Sequence, residues 1–111
     1  MPKSLRKKQS EFARAISLLI AYAYQLGFEL TFGDAWAKTG HRKGSFHYKR
    51  LAIDLNLFKD GIFQRTTEAH RPLGEFWESI GGTWGGRWDL NPNMEGHQGD
   101  GNHYSWGESR D

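Results

Sequence analysis

Apolar and polar residues alternate most regularly in the stretch 51–57. Every second residue there is leucine or isoleucine, and the residues between them are small or polar. The apolar set is Leu51, Ile53, Leu55 and Leu57. A period of two predicts a β-strand with one buried face. Asp54 lies on the other face, where an aspartate is disfavoured unless it has a specific role.

A helix is predicted near the start of the chain, because apolar residues recur there at helical spacing. These residues are Phe12, Ile16, Leu19, Ile20 and Ala23. Ser10 is the expected N-cap, and Gly27 the residue that ends the helix. The basic start and apolar run imitate an export signal, but Glu11 and Arg14 interrupt the pattern. The uninterrupted apolar run is also shorter than the roughly 20 residues that span a bilayer. We therefore expect a core helix, no signal peptide and no stable membrane association.

The remaining pattern alternates between strand and helix signals. "FELTF" and "IFQR" predict strands, and Asp60-Gly61 predicts a hairpin turn. "RPLGEFWESIGG" predicts a helix with Pro72 near its start and an apolar face made by Leu73, Phe76, Trp77 and Ile80. A glycine-rich irregular segment then leads to a final strand in "HYSWG". This order predicts one α+β domain over residues 1–111, with helices packed against a mainly antiparallel sheet.

Composition limits the chemistry that the chain can perform. It has 111 residues, no cysteine, five histidines and thirteen acidic residues. Disulfides, thiolate zinc sites and cysteine nucleophiles are excluded, so a metal site must use His, Asp and Glu. The net charge of +2 comes without a clustered basic and aromatic face, so no nucleic-acid partner is expected. We also expect a monomer.

The candidate metal ligands are histidines and carboxylates around two predicted strands. His103 lies on the final strand, and Asp100 precedes it by three residues. His47 lies seven residues before Asp54. Since seven is odd, one straight strand would point these two side chains to opposite faces. They converge only if the chain bends between residues 48 and 50. Two imidazoles and a carboxylate suit a catalytic zinc ion, but spacing alone does not separate this set from scattered polar residues.

The order of these residues resembles the D-Ala-D-Ala carboxypeptidase and L-alanyl-D-glutamate endopeptidase family of zinc peptidases. "SFHYKRLAID" is similar to its Ser-x-His-(x)6-Asp signature, and "DGNHYSW" to its second signature. "GGTWGGRW" is similar to the Trp-Gly-Gly segment that precedes the second signature, while "LTFGDAW" and "RLAIDLNLFKDG" resemble small phage-encoded members. The resemblance extends from about Phe28 to Trp106 and implies a hedgehog/D-Ala-D-Ala-peptidase-like fold.

The resemblance implies a role for each matching residue. One zinc ion would be held by His47, Asp54 and His103, with Asp100 as the catalytic base. Ser45 would support the site from behind the ligands, and Trp84 would line the substrate groove, although core packing is an equal alternative for this tryptophan.

The chain departs from the family pattern at two positions. Members often carry an arginine after the "GDA-aromatic" element, where this chain has Ala37-Lys38. Lys38, Arg42 and Arg50 are the candidates to replace it in binding a substrate carboxylate or the oxyanion. Arg50 also stands where the family has a glycine. His70, at the start of the second predicted helix, is expected to be solvated.

The resemblance implies hydrolysis of peptidoglycan stem peptides, with the L-alanyl-D-glutamate bond as the first choice. A phage endolysin would act on the bacterial cell wall after release from the cytoplasm of the infected cell. The alternatives are a D-alanyl-D-alanine carboxypeptidase and a non-catalytic zinc-binding recognition module of the same fold. Asp100 discriminates between enzyme and module, because a purely structural site needs no additional base.

Overall fold

A computed structural model describes residues 3–34, 49–87 and 100–107 of the chain. It contains, in chain order, α1 (Leu5–Gln25), β1 (Phe28–Phe32), β2 (Ala52–Lys59), β3 (Ile62–Gln64), α2 (Thr67–Ser79), β4 (Thr83–Trp84) and β5 (His103–Ser105). A short 3₁₀ turn, Gly85–Arg87, follows β4. Two helices and a sheet with antiparallel pairings confirm the predicted α+β class.

β2 is the central strand of the sheet. The strands lie in the order β1-β2-β5-β4, and β3 also pairs with β2. β1 runs along the second half of β2, from Phe32 opposite Leu55 to Phe28 opposite Lys59. β5 pairs with the first three residues of β2, and β3 pairs with the last three. β2 therefore connects the β2–β3 hairpin, at one end of the sheet, to the pairing with β5 at the other end.

The predicted alternation in β2 is confirmed. Its four apolar residues, Leu51, Ile53, Leu55 and Leu57, are all buried, whereas Asp54 and Asn56 are only partly covered. Burial of each such aliphatic side chain contributes about 1.5–3 kcal/mol to folding. Ala52 is buried as well, because it lies opposite the fully buried Ser105 of β5.

The hairpin between β2 and β3 turns at the two predicted residues. Asp60 and Gly61 have φ values of 52° and 77°, and Lys59 faces Ile62 across the turn. Positive φ at both central residues is the type I′ geometry, which matches the twist of the flanking strands. β3 ends at Gln64, so Arg65, which the sequence pattern assigned to the strand, lies in the connection to α2.

α1 begins earlier than its predicted N-cap. Ser4 caps it, and its side chain accepts a hydrogen bond from the backbone of Lys7 at 3.1 Å. The prediction of Ser10 is wrong because the leucine, arginine, lysine and glutamine residues before it favour helix and Ser4 offers an earlier cap. Gly27 ends the helix as predicted, with a φ of 89°.

The apolar face of α1 packs against α2 and the sheet. Its buried residues are Phe12, Ala15, Leu19 and Ala23. Phe12 meets Trp77 edge to face at 6.1 Å, and Tyr22 stacks on Phe76 at 4.3 Å. No helix within the described ranges has the length and apolar character needed to cross a membrane.

α2 starts earlier than predicted, and Pro72 lies inside it. The side chain of Thr66 accepts a hydrogen bond from the backbone of Ala69 at 3.1 Å, which caps the helix before the proline. Pro72 removes one bond, the one that its nitrogen would give to the carbonyl of Glu68. Leu73 and Trp77 are buried and Phe76 and Ile80 pack beside them, so the predicted apolar face is confirmed.

β4 falls in a segment that the sequence pattern assigned to irregular structure. Thr83 pairs with Ser105 and Trp84 with Tyr104. The prediction is wrong here because a strand of two residues is too short to show a period. The pairing fixes the start of the glycine-rich segment against β5.

Candidate metal centre

Asp54 and His103 lie directly opposite each other on β2 and β5. Paired residues of an antiparallel ladder project to the same face, so the sheet itself brings the two side chains together. Nδ1 of His103 is 3.3 Å from Oδ1 of Asp54. His103 is buried and Asp54 retains about a fifth of its side-chain exposure. The two residues thus form the inner part of the site.

Asp100 joins this pair through a tight turn. Its carbonyl accepts a hydrogen bond from the backbone of His103 at 3.1 Å, which explains the spacing of three residues. One ligand atom from each of Asp54, Asp100 and His103 lies within 4.8 Å of the others. Asp100 is exposed, so this carboxylate is the one that water and a substrate can reach.

The chain beyond β1 holds Asp54 from its other side. Gly33 donates a backbone hydrogen bond to the carbonyl of Asp54 at 2.7 Å, and Asp54 donates one to the carbonyl of Asp34 at 2.8 Å. Asp34 therefore supports the site through its backbone. Both bonds lie on one edge of β2, and on the other edge Leu55 donates to the carbonyl of Asn102 at 2.8 Å, so the strand is held from both sides at this point.

Gly85 allows the turn of Asp100 to approach β4. The backbone of Asp100 donates to the carbonyl of Gly85 at 2.8 Å. A Cβ atom at position 85 would collide with the carbonyl oxygen of Asp100 and lie 2.9 Å from Cβ of His103. The first glycine of the Trp-Gly-Gly segment is thus required by close packing behind the site.

Trp84 is buried, which corrects the expectation that it lines an open groove. Its side chain has 0% exposure, and its Nε1 donates to the carbonyl of Gly101 at 2.8 Å. Arg87 lies over its ring at 5.1 Å. The alternative of core packing is the one that the structure supports. Through its hydrogen bond to Gly101, Trp84 stabilises the turn between Asp100 and His103.

A buried pair behind β5 was missed by sequence reasoning. His70 is 3% exposed, and its Nδ1 lies 2.8 Å from the hydroxyl of Tyr104. The expectation of a solvated His70 is wrong because α2 begins at Thr67 and turns this residue toward β5. Burial lowers the pKa of His70 to about 4 and raises the pKa of Tyr104. The imidazole is therefore neutral at pH 7, and nothing in the sequence around His70 indicated that it would be buried.

The geometry of these residues fits a zinc ion. Two ligands each about 2 Å from one ion lie at most about 4 Å apart, and the 3.3 Å between Asp54 and His103 satisfies this limit. Oδ1 of Asp54 is buried, and a carboxylate oxygen withdrawn from water is stabilised by positive charge beside it. Carboxylate oxygen and imidazole nitrogen are both zinc donors.

Several predicted residues lie outside the described ranges, namely Lys38, Arg42, Ser45 and His47. Arg50 is described: it is exposed and has a φ of 57°. Lys49 and Arg50 form a turn before β2, which confirms a bend at these two positions. The left-handed φ also explains the family's glycine at position 50, since glycine adopts this conformation most readily.

Comparison with known proteins agrees with the geometry. A family model described as D-alanyl-D-alanine carboxypeptidase matches residues 38–106, which is more than half of the chain. The matched segment contains β2, β5 and the turn that carries Asp100. A comparison with curated proteins found no significant match.

Proposed function

Because the chain belongs to the D-alanyl-D-alanine carboxypeptidase family of zinc peptidases, we propose that it hydrolyses the stem peptides of bacterial peptidoglycan at the L-alanyl-D-glutamate bond. Family membership itself implies a zinc metallopeptidase that acts on peptidoglycan. The proposal rests above all on the cluster of Asp54, Asp100 and His103 within the matched segment.

We assign the zinc ligands to His47, Asp54 and His103. Asp54 and His103 are held by the sheet at a separation that suits a shared ion. Asp100 is assigned as the catalytic base, because it is exposed and lies on a turn at the edge of the cluster. A zinc ion bound here supplies a Lewis acid that acidifies water and polarises the scissile carbonyl.

The residues of the chain then perform the proton transfers. Asp100 accepts a proton from the attacking water and returns it to the nitrogen of the leaving amine. Asp54 and His103 keep their positions during this transfer, because the ladder between β2 and β5 fixes their backbones. The neutral pair of His70 and Tyr104 packs behind β5 without adding a charge to the site.

The second candidate is a D-alanyl-D-alanine carboxypeptidase, which the description of the matching family favours. A non-catalytic zinc module is the third reading, and an exposed Asp100 within 4.8 Å of the ligand atoms of Asp54 and His103 argues against it. The proposed setting is that of a phage endolysin, a monomeric single domain that reaches the cell wall after release. It rests on the resemblance to small phage-encoded members.

Mass spectrometry of purified muropeptides tests the proposal. Digestion should yield products cut between L-alanine and D-glutamate, and a chelator should abolish them. Loss of a single terminal D-alanine would instead establish the carboxypeptidase. Products that persist in the chelator would exclude the metal mechanism, and intact muropeptides with zinc bound to the protein would support the recognition module.

A further inference from the structure

A polar cavity of about 200 Å³ lies beside the candidate metal centre and has Asp100 in its wall. Its other walls come from the β2–β3 hairpin, the start of α2 and the turn before β5. Side chains that can donate hydrogen bonds surround it, namely Asn56, Gln64, Thr66, Thr67 and Asn102. A cavity with many donors and one carboxylate suits a ligand group that accepts hydrogen bonds.

Arg65 gives this cavity a positive charge. It is the one lysine or arginine among the residues that line the cavity, and its side chain is exposed. Two other arginines, Arg71 of α2 and Arg87 of the 3₁₀ turn after β4, are already paired with Glu68 and Glu78 respectively. Within the described part of the chain, no carboxylate forms a salt bridge with Arg65. As far as the described residues show, its guanidinium can therefore pair with an anion from outside.

We propose that this cavity binds a substrate carboxylate located on the carbon that bears the leaving amine, and that Arg65 pairs with it. The inference rests on the proposed function, in which Asp100 delivers a proton to that amine. Any group attached to the same carbon must then lie next to Asp100, and among the described residues this cavity has Asp100 in its wall. The dipole of α2 starts at the same wall and adds to the attraction.

Both candidate substrates carry such a group. In the L-alanyl-D-glutamate bond the leaving nitrogen belongs to D-glutamate, whose α-carboxylate is attached to the same carbon. In the D-alanyl-D-alanine bond the terminal carboxylate occupies the equivalent position. Arginine suits this role because its planar fork can donate two parallel hydrogen bonds to a carboxylate. Sequence reasoning proposed Lys38, Arg42 or Arg50 for the task. Of these three, only Arg50 lies within the described residues, and it does not line this cavity.

The test uses one synthetic pentapeptide, L-alanyl-γ-D-glutamyl-L-lysyl-D-alanyl-D-alanine, which contains both candidate bonds. Two further versions carry an amide in place of either the glutamate α-carboxylate or the terminal carboxylate. The wild-type enzyme should lose activity on only one amidated version, which identifies the source of the carboxylate. Arg65→Gln should lower kcat/KM for the unmodified peptide by about 10- to 100-fold, mainly through KM, since charge-assisted hydrogen bonds are at stake. On the amidated version that wild type cleaves poorly, Arg65→Gln should have the same kcat/KM as wild type.

Arg65→Lys and Arg6→Gln complete the set. The lysine variant keeps the charge without the fork and should be intermediate, while Arg6 is exposed on α1 and its variant should behave as wild type. Binding of the unmodified peptide to Asp100→Asn, with and without Arg65→Gln, is measured by calorimetry and requires no turnover. Equal affinities in that pair, or an unchanged kcat/KM in Arg65→Gln, would overturn the inference. If wild type cleaves no version, the proposed function fails, and the calorimetric pair still decides the role of Arg65.

Discussion

Oδ1 of Asp54 lies 3.3 Å from Nδ1 of His103, and the two residues are direct partners in the ladder between β2 and β5. The distance between these two side chains is therefore set by backbone hydrogen bonds and not by the loops around the site. Asp100 is attached to the same ladder by its turn to His103. The sheet and one tight turn therefore position this part of the site.

Loss of Asp54 should remove the metal. In Asp54→Asn one anionic ligand becomes neutral, so zinc affinity should fall by at least about 100-fold, and metal analysis of the dialysed protein measures this. Because an ion that binds only the folded state stabilises it, EDTA should lower the melting temperature of wild type but not of the variant. An equal response of both proteins to EDTA would contradict the assignment of Asp54.

Loss of Asp100 should separate catalysis from metal binding. Asp100→Asn keeps the shape of the side chain but cannot accept a proton, so kcat should fall by about 100- to 10,000-fold. Zinc content should stay at one ion per chain. Retained activity would exclude Asp100 as the base, and loss of zinc would make it a ligand.

Gly85→Ala should displace the turn that carries Asp100. The added Cβ would collide with the carbonyl of Asp100, so we expect a loss of about 1–3 kcal/mol in the free energy of unfolding and a fall in kcat. Urea unfolding and initial rates measure the two effects.

Gly27→Ala is the matched control for this change. Gly27 has a φ of 89°, and no atom lies within 4 Å of the position that a Cβ would occupy, so alanine there costs backbone strain alone. The control should lose about 1–2 kcal/mol in stability and keep kcat. A Gly85→Ala protein with normal kcat would show that the close approach at Gly85 does not position Asp100.

The buried His70 should make stability depend on pH. Its pKa is about 4 in the folded protein and near 6.5 when unfolded, so between these values the unfolded state binds more protons. The free energy of unfolding should rise with pH from about 4 to 6.5, by about 2–3 kcal/mol, and stay level above. His70→Asn can retain the bond to Tyr104 without titrating. The free energy of unfolding of wild type should exceed that of this variant by less and less as the pH falls from 6.5 to 4. An excess that does not change with pH would contradict the buried neutral state of His70.

Sequence patterns predicted those elements that have a period or a turn signal. β1 was predicted with its observed ends, Phe28–Phe32, and the Asp60-Gly61 turn was predicted at its observed position. The starts of both helices were misplaced, because Ser4 and Thr66 are caps that lie outside the apolar period. β4 was missed because two residues carry no period.

Sequence spacing predicted the part of the site that lies within one turn of the chain, but not the part that depends on strand register. Three residues separate Asp100 from His103 because a turn closes between them. The contact between Asp54 and His103 depends on the register of two strands that lie far apart in sequence, which only the family resemblance indicated. His70 and Arg65 gave no signal, because the first is buried by the early start of α2 and the second follows a short strand.

The two faces of β2 together limit which insertions and deletions the strand can accept. Leucine and isoleucine occupy one face and Asp54 the other, so inserting or deleting one residue within the strand would exchange them. Such a change exposes the core and turns Asp54 away from His103 in the same step. A one-codon length change in this stretch should thus lower the free energy of unfolding together with activity, unless a β-bulge absorbs the change. Selection for folding alone therefore protects the direction in which Asp54 points.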